Sequence, residues 1–212
     1  MPKVVDPIER RREVVDALFR VVVRDGLQRA SLRTVAAEAQ LNIGSLRHYF
    51  ATQEELMRFA MTSMIERVTE RLRAAVEEAG DLAVLSTRER LELSARLLGE
   101  LLPLDERRRA EVTVFLDFAT ASRTDPALRD LAAQVAVGTR EFVRHVLERL
   151  EARGALRPGL RLDVETERLS SLVDGLAMNA VLRPELVSGP DCLEVVRTHL
   201  AALRPCSRAG SG

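Results

Sequence analysis

The chain of 212 residues contains no tryptophan, one tyrosine and only two cysteines, and aromatics make up 3% of it. Two thiols, Cys192 and Cys206, lie far from any CxxC spacing and are too few for a disulfide framework, so both read as free. No stretch reaches the roughly 20 uninterrupted apolar residues of a membrane span, and the N-terminal segment has no apolar core of a secretory signal. These absences predict a cytoplasmic protein with no membrane association. There is no GxSxG elbow, no GxxxxGK phosphate loop and no GxGxxG, and the three histidines, His48, His145 and His199, are far apart in sequence. Neither catalysis, nor a cofactor, nor a metal site is expected. Strand signals are nearly missing too, since no alternating β-branched and aromatic run is bounded by hairpin turns.

What is present is 46% hydrophobic and 30% charged residues, ample for a chain this long to bury about 70% of its unfolded surface. The 32 basic groups balance the 32 acidic ones, which at first argues against a phosphate-rich partner. The balance is uneven along the chain: the first 50 residues hold nine basic groups (Lys3, Arg10, Arg11, Arg12, Arg20, Arg24, Arg29, Arg33, Arg47) against six acidic.

Ala, Leu, Glu and Arg dominate, and start and stop residues recur at regular intervals, predicting an all-α fold of about nine helices. The first is expected from about Ile8 to Arg24, ended by Asp25-Gly26. Two short ones follow, about Leu32 to Ala39 and Ile43 to Tyr49. Thr52 with Glu55 forms a capping box that opens a long helix to about Ala79. Ser86 with Glu89 opens the next, which Pro103 stops. Asp105 caps a sixth, to about Ser122, and Asp125-Pro126 starts a seventh, to about Arg153. An eighth spans about Val164 to Leu182. A ninth opens at Pro190-Asp191 with Glu194 and reaches about Leu203.

Short helices in the first quarter and long ones after it predict a small N-terminal unit, residues 1–51, on a larger bundle, residues 52–206. The tail 207–212 is expected to be disordered. The short helices are too short to be stable alone. Val35, Ala36 and Ala39 on the earlier, with Leu41, Leu46 and Phe50 turned inward, give the packing of a helix-turn-helix. Asn42 caps the second short helix and leaves Ile43, Ser45, Arg47, His48 and Tyr49 on or near its outer face. Those are groups that suit base edges and phosphates. Gly44 lets that backbone approach a duplex closely, while the arginines at 10–12 read either as a solvated helix start or as an arm near phosphates.

The run Asn42-Ile43-Gly44-Ser45-Leu46-Arg47-His48-Tyr49-Phe50, followed by Thr52-Gln53-Glu54-Glu55-Leu56, resembles the DNA-binding domain of TetR-family transcriptional regulators. The resemblance extends from about Arg11 to Phe59. It implies a DNA-binding transcriptional regulator, a ligand-responsive repressor that reads a palindromic operator in double-stranded DNA as a homodimer. It implies DNA contacts from Ser31, Arg33, Thr34, Asn42, Ile43, Gly44, Ser45, Arg47, His48 and Tyr49. The last two helices would pair with their copies through Leu172, Gly175, Leu176, Val196 and Leu200. An unidentified small-molecule effector would sit within the bundle among Met61, Met64, Thr113, Phe115, Asp117, Phe118, Phe142 and Asn179. Three positions depart from the family. Gln40 stands in the turn where glycine is usual and predicts a non-glycine residue at positive φ, Arg47 stands where tyrosine is frequent, and Gln53 stands where a phosphate-binding lysine is usual. Gln53 and the neutral net charge leave a second reading open, a helical small-molecule or partner module without DNA binding.

Overall fold

The computed structural model describes residues 6–205, so the expected tail at 207–212, and Cys206, lie outside the described residues. Nine α-helices and one short 3₁₀ turn account for its regular structure, with no strand among the described residues. In chain order they are α1 (Pro7–Asp25), the 3₁₀ turn (Leu27–Arg29), α2 (Leu32–Glu38), α3 (Ile43–Tyr49), α4 (Gln53–Glu78), α5 (Thr87–Gly99), α6 (Glu106–Ala121), α7 (Pro126–Ala152), α8 (Leu162–Leu182) and α9 (Gly189–Ala202).

Most helix starts follow from local side-chain chemistry. Asp6 caps α1 by accepting the Ile8 N–H at 3.0 Å, with Pro7 in the first turn, where a missing N–H costs nothing. Ser86 and Glu89 form the reciprocal capping box of α5. Two starts differ from expectation. At α4 the Thr52 hydroxyl accepts the Glu55 N–H at 3.1 Å, but the Glu55 carboxylate reaches past Thr52 to the Ala51 N–H at 2.9 Å. At α9 the box is Ser188 with Asp191, one turn earlier than Asp191 with Glu194, because Pro190 is already inside the helix.

The described chain divides into two compact units, one within Met1–Thr69 plus Arg109–Ala133 and the other within Glu70–Arg108 plus Gln134–Gly212. The compact units are cut elsewhere than at residue 51, because α6 and the start of α7 pack with the N-terminal helices. The core of the first unit runs through Val14, Leu18 and Val22 of α1, Val35 and Ala36 of α2 and Leu46 of α3. Phe50 and Leu56 continue it, and Val114, Phe118 and Leu128 close it. At about 25 cal/mol per Å² of buried apolar surface, this shared core supplies what two seven-residue helices lack alone.

In the second unit α9 packs against α5 and α8. Leu98, Leu147, Leu169, Val173, Cys192, Val196 and Leu200 are buried there. Arg197 of α9 ties to Glu92 of α5 through two nitrogens at 3.0 and 2.5 Å.

Candidate nucleic-acid interface

In the first unit, α2 and α3 are joined by a turn at Gln40, whose φ of 57° makes it the positive-φ non-glycine residue expected there. Its neighbours close the turn: Leu41 donates to the Ala36 carbonyl at 2.9 Å, and Gln40 to that of Ala37 at 3.1 Å. Asn42 then caps α3, its Oδ1 accepting the Ser45 N–H at 2.8 Å, which fixes where the helix begins. A Cβ on Gly44 would lie 3.2 Å from that same oxygen, so a bare backbone at 44 serves the cap as well as any close approach from outside.

Burial sorts the α3 side chains into two sets. Leu46 and the following Phe50 are fully buried, while Ile43, Gly44, Arg47 and His48 are exposed and Ser45 and Tyr49 are half-buried. The Tyr49 ring packs partly on the core and meets His48 edge-on at 5.7 Å, leaving the hydroxyl as its polar end. Ser31 caps α2 by accepting the Thr34 N–H at 3.2 Å. Thr34 donates its own hydroxyl inward, with the Arg29 carbonyl at 2.6 Å, so it meets a ligand only as an acceptor. Arg33 is exposed beside it.

The arginines divide in a way their count conceals. Arg10 pairs with Glu13 at 2.6 Å, Arg11 with Glu55 at 2.9 Å, and Arg20 and Arg24 with Glu38 at 2.8 and 2.9 Å. Those hydrogen bonds from Arg20 and then Arg24 hold the Glu38 carboxyl below its ordinary range. Arg12, Arg29, Arg33 and Arg47 have no ion pair among the described residues. Arg67 pairs with Asp16 at 2.7 Å, so Glu13, Asp16, Glu38 and Glu55 are each engaged by an arginine of α1 or α4. Three of these four unpaired cations sit on or next to α2 and α3, an exposed cationic face of the kind that meets phosphates. Gln53 is not idle: its amide donates to the Ala30 carbonyl at 3.0 Å and ties the start of α4 to the turn before α2. Its side chain has a structural use that the sequence did not suggest, which weakens it as a sign of lost DNA binding.

The other candidate sets fare differently. Met61, Met64 and Phe118 are buried in the first unit's core, packed by the N-terminal helices, and are not on an open surface. Phe115 and Thr113 are half-buried in the same unit, the Thr113 hydroxyl donating to the Arg109 carbonyl at 2.8 Å. Asp117 accepts the Leu27 N–H at 3.1 Å, so this carboxylate holds the 3₁₀ turn. Phe142 and Asn179 belong to the second unit, where the Asn179 amide donates to the Gly175 carbonyl at 2.8 Å. On α8 and α9, Leu172, Gly175 and Leu176 are half-buried, but Val196 and Leu200 have no exposure. Both belong to the chain's own core, because α9 turns its apolar stripe toward α5 and α8. The α9 residues that do face outward, Glu194, Val195 and Thr198, line with Leu172, Asp191 and His199 an open cleft of about 440 Å³. Among the described residues no cluster of three or more His, Cys, Asp or Glu is placed to hold a metal, and no helix is long and apolar enough to cross a membrane.

The profile of the BetI-type transcriptional repressor C-terminal domain matches residues 87–205. The HTH-type transcriptional regulator PksA of Bacillus subtilis is 34% identical over 203 residues, covering 96% of this chain and 94% of that protein. The crystal structure of a transcriptional regulator from Rhodococcus sp. is similar at 25% identity with a TM-score of 0.73, over 91% of this chain and 95% of that one. A regulator from Saccharomonospora viridis, solved in complex with choline, has the same fold at 22% identity with a TM-score of 0.73, over 92% of this chain and 95% of that one. Matched by profile over more than half its length, and by a 34% identical relative over nearly all of it, the chain belongs to the TetR family of DNA-binding transcriptional regulators, in its BetI-type branch.

Proposed function

We propose that this regulator is a ligand-responsive repressor that binds a palindromic operator as a homodimer, with α3 as its recognition helix. The observation that carries the reading is the outward face of α3, where Ile43, Gly44, Arg47 and His48 are exposed beside the unpaired Arg29 and Arg33. Arg47 and His48 address base edges, Ile43 a thymine methyl, and the Tyr49 hydroxyl a phosphate. The α2 N-terminus, with Ser31, Arg33 and Thr34, lies on the backbone, and Asn42, Ser45 and Gly44 set how deeply α3 enters.

A two-fold assembly places two recognition helices about 34 Å apart, one turn of duplex. Support for the self-association comes from α8, where Val164, Ser171, Gly175, Met178 and Leu182 recur with the spacing of a single stripe. Among them Val164, Met178 and Leu182 are 40, 40 and 62% exposed. That stripe, with Leu172 and Leu176 at its edge and Val195 on α9, replaces Val196 and Leu200 as the proposed surface between copies. The effector is a small molecule; Thr113 and Phe115 in the first unit and, separately, Phe142 and Asn179 in the second are the candidates that keep some exposure. It acts by linkage: a ligand that prefers one bundle conformation lowers operator affinity by the same coupling free energy.

The test is fluorescence anisotropy with a duplex enriched by the protein from a random library. Arg47→Ala is expected to weaken binding at least about tenfold, roughly 1.4 kcal/mol. Tyr49→Phe is expected to weaken it less, and inserting about half a turn between half-sites to abolish it. Full affinity after the insertion would rule out the two-fold reading, and an unaffected Arg47→Ala would remove α3 from the interface.

A further inference from the structure

Arg11 of α1 is one of three consecutive arginines, yet its half-buried side chain lies against Phe50 and Phe59. Its Cζ lies 4.7 Å from the ring centroid of Phe50 and 4.7 Å from that of Phe59, and the two rings are themselves 5.4 Å apart. One terminal nitrogen donates to a carboxylate oxygen of Glu55 at 2.9 Å, while the other oxygen of Glu55 accepts the Ala51 N–H at 2.9 Å. The Nε is buried without an acceptor. A guanidinium tolerates that because it is weakly hydrated and lies flat on aromatic faces, which an ammonium does not.

The partners of Arg11 are the residues that decide where the recognition helix points. Phe50 ends α3, its N–H donating to the Leu46 carbonyl at 2.9 Å. Ala51 is part of the link, and Glu55 and Phe59 belong to the first two turns of α4. One side chain on α1 thus touches the end of α3, the start of α4 and, through Glu55, the link between them. We infer that Arg11 is a positioning residue for DNA reading: it sets the angle between α3 and α4 and makes no phosphate contact. The inference rests on the placement of the reading face on α3.

An angle and a phosphate contact have different signatures. A lost phosphate contact weakens all DNA alike and flattens the salt dependence by about 0.9 per contact, whereas a misaligned reading helix loses discrimination between sequences. Arg11→Lys keeps the charge but loses the guanidinium that approaches both rings. We take the duplex enriched by the wild type and a scrambled duplex of equal length, and measure the affinity of each across a salt series. Arg11→Lys is expected to bind the enriched duplex about tenfold more weakly, with its scrambled-duplex affinity and both salt slopes unchanged. Phe59→Leu, which removes one ring and no charge, is expected to give the same pattern, and decides the matter if Arg11→Lys does not fold. A parallel loss on both duplexes with a flatter slope overturns the inference in favour of a phosphate contact. A lower Tm with both affinities intact overturns it in favour of simple packing. A wild-type protein that enriches no duplex overturns the placement of the reading face, and this role with it.

Discussion

Asp117 shows how a single residue's role depends on a partner far along the chain. On α6 it reads as a polar group for a ligand, but its carboxylate accepts the Leu27 N–H across 90 positions of sequence and so holds the turn that leads into α2. Asp117→Ala is expected to leave that amide without its acceptor, at a cost of roughly 1–2 kcal/mol, and to speed its hydrogen exchange about tenfold. Asp117→Asn keeps an acceptor oxygen and is expected to restore most of the protection. Exchange at Leu27 that is unchanged in both variants would mean that the contact contributes nothing. Contacts of this kind were not legible in the sequence. The Asn42 cap and the Ser86 and Glu89 box were, because each joins residues within about one turn, where covalent geometry leaves few alternatives; the positive φ of Gln40 was legible only through the resemblance to the family. The Asp117 to Leu27, Gln53 to Ala30 and Arg11 to Phe59 contacts depend on where separate helices come to lie, and no spacing rule encodes that.

For the helices, periodicity predicted which of them exist and roughly where they end, but not which neighbour each apolar face would meet. Leu193, Val196, Leu200 and Leu203 of α9 form one stripe in sequence, equally suited to a second copy or to the chain's own core. The structure uses Val196 and Leu200 for the core. The start of α9 shows how closely it is seated: a Cβ at Gly189 would lie 2.9 Å from the Pro103 carbonyl oxygen, a backbone atom that cannot rotate aside. Gly189→Ala is therefore expected to cost about 1–3 kcal/mol, read as a lower Tm; an unchanged Tm would show that the segment before α6 yields freely. The same pair of helices carries a pH dependence. Burial pushes His199 below its ordinary value of 6.5, a shift that Glu165 opposes and Arg168 reinforces. The His199 Nε2 lies 3.8 Å from Glu165 Oε2, too far for a hydrogen bond, and both atoms are buried without partners. Because the folded form binds a proton less readily than the unfolded one, the stability that neutral His199 allows is complete above pH 6.5. It is lost as the pH falls below that value and through the depressed folded one. Chemical denaturation between pH 7.5 and 5 is expected to show this decline, and His199→Gln to flatten it. A decline of equal size in the variant would assign it to other groups.

For the whole molecule, the zero net charge conceals a division of labour. Charge counting along the chain found a small basic surplus in the first 50 residues. Only the structure shows that Arg10, Arg11, Arg20 and Arg24 of α1 are engaged by Glu13, Glu38 and Glu55, which leaves Arg12 on α1, and Arg29, Arg33 and Arg47 around α2 and α3, without an ion pair among the described residues. The all-α class and the helix-turn-helix were legible because they depend on local pattern. The compact units were not, since α6 joins the first of them through contacts distant in sequence, such as Val114 and Phe118 in the core and Asp117 on the Leu27 N–H. Under the proposed two-fold assembly, a head with so few uncompensated cations depends on doubling for its affinity, and both heads contribute to the electrostatic term. The dependence of operator affinity on salt tests this most directly. The account predicts a straight line of log affinity against log salt with a slope of about −0.9 for each phosphate contacted, several contacts in all and twice the value of a single head. A slope near zero, for a duplex the protein itself enriched, would contradict it.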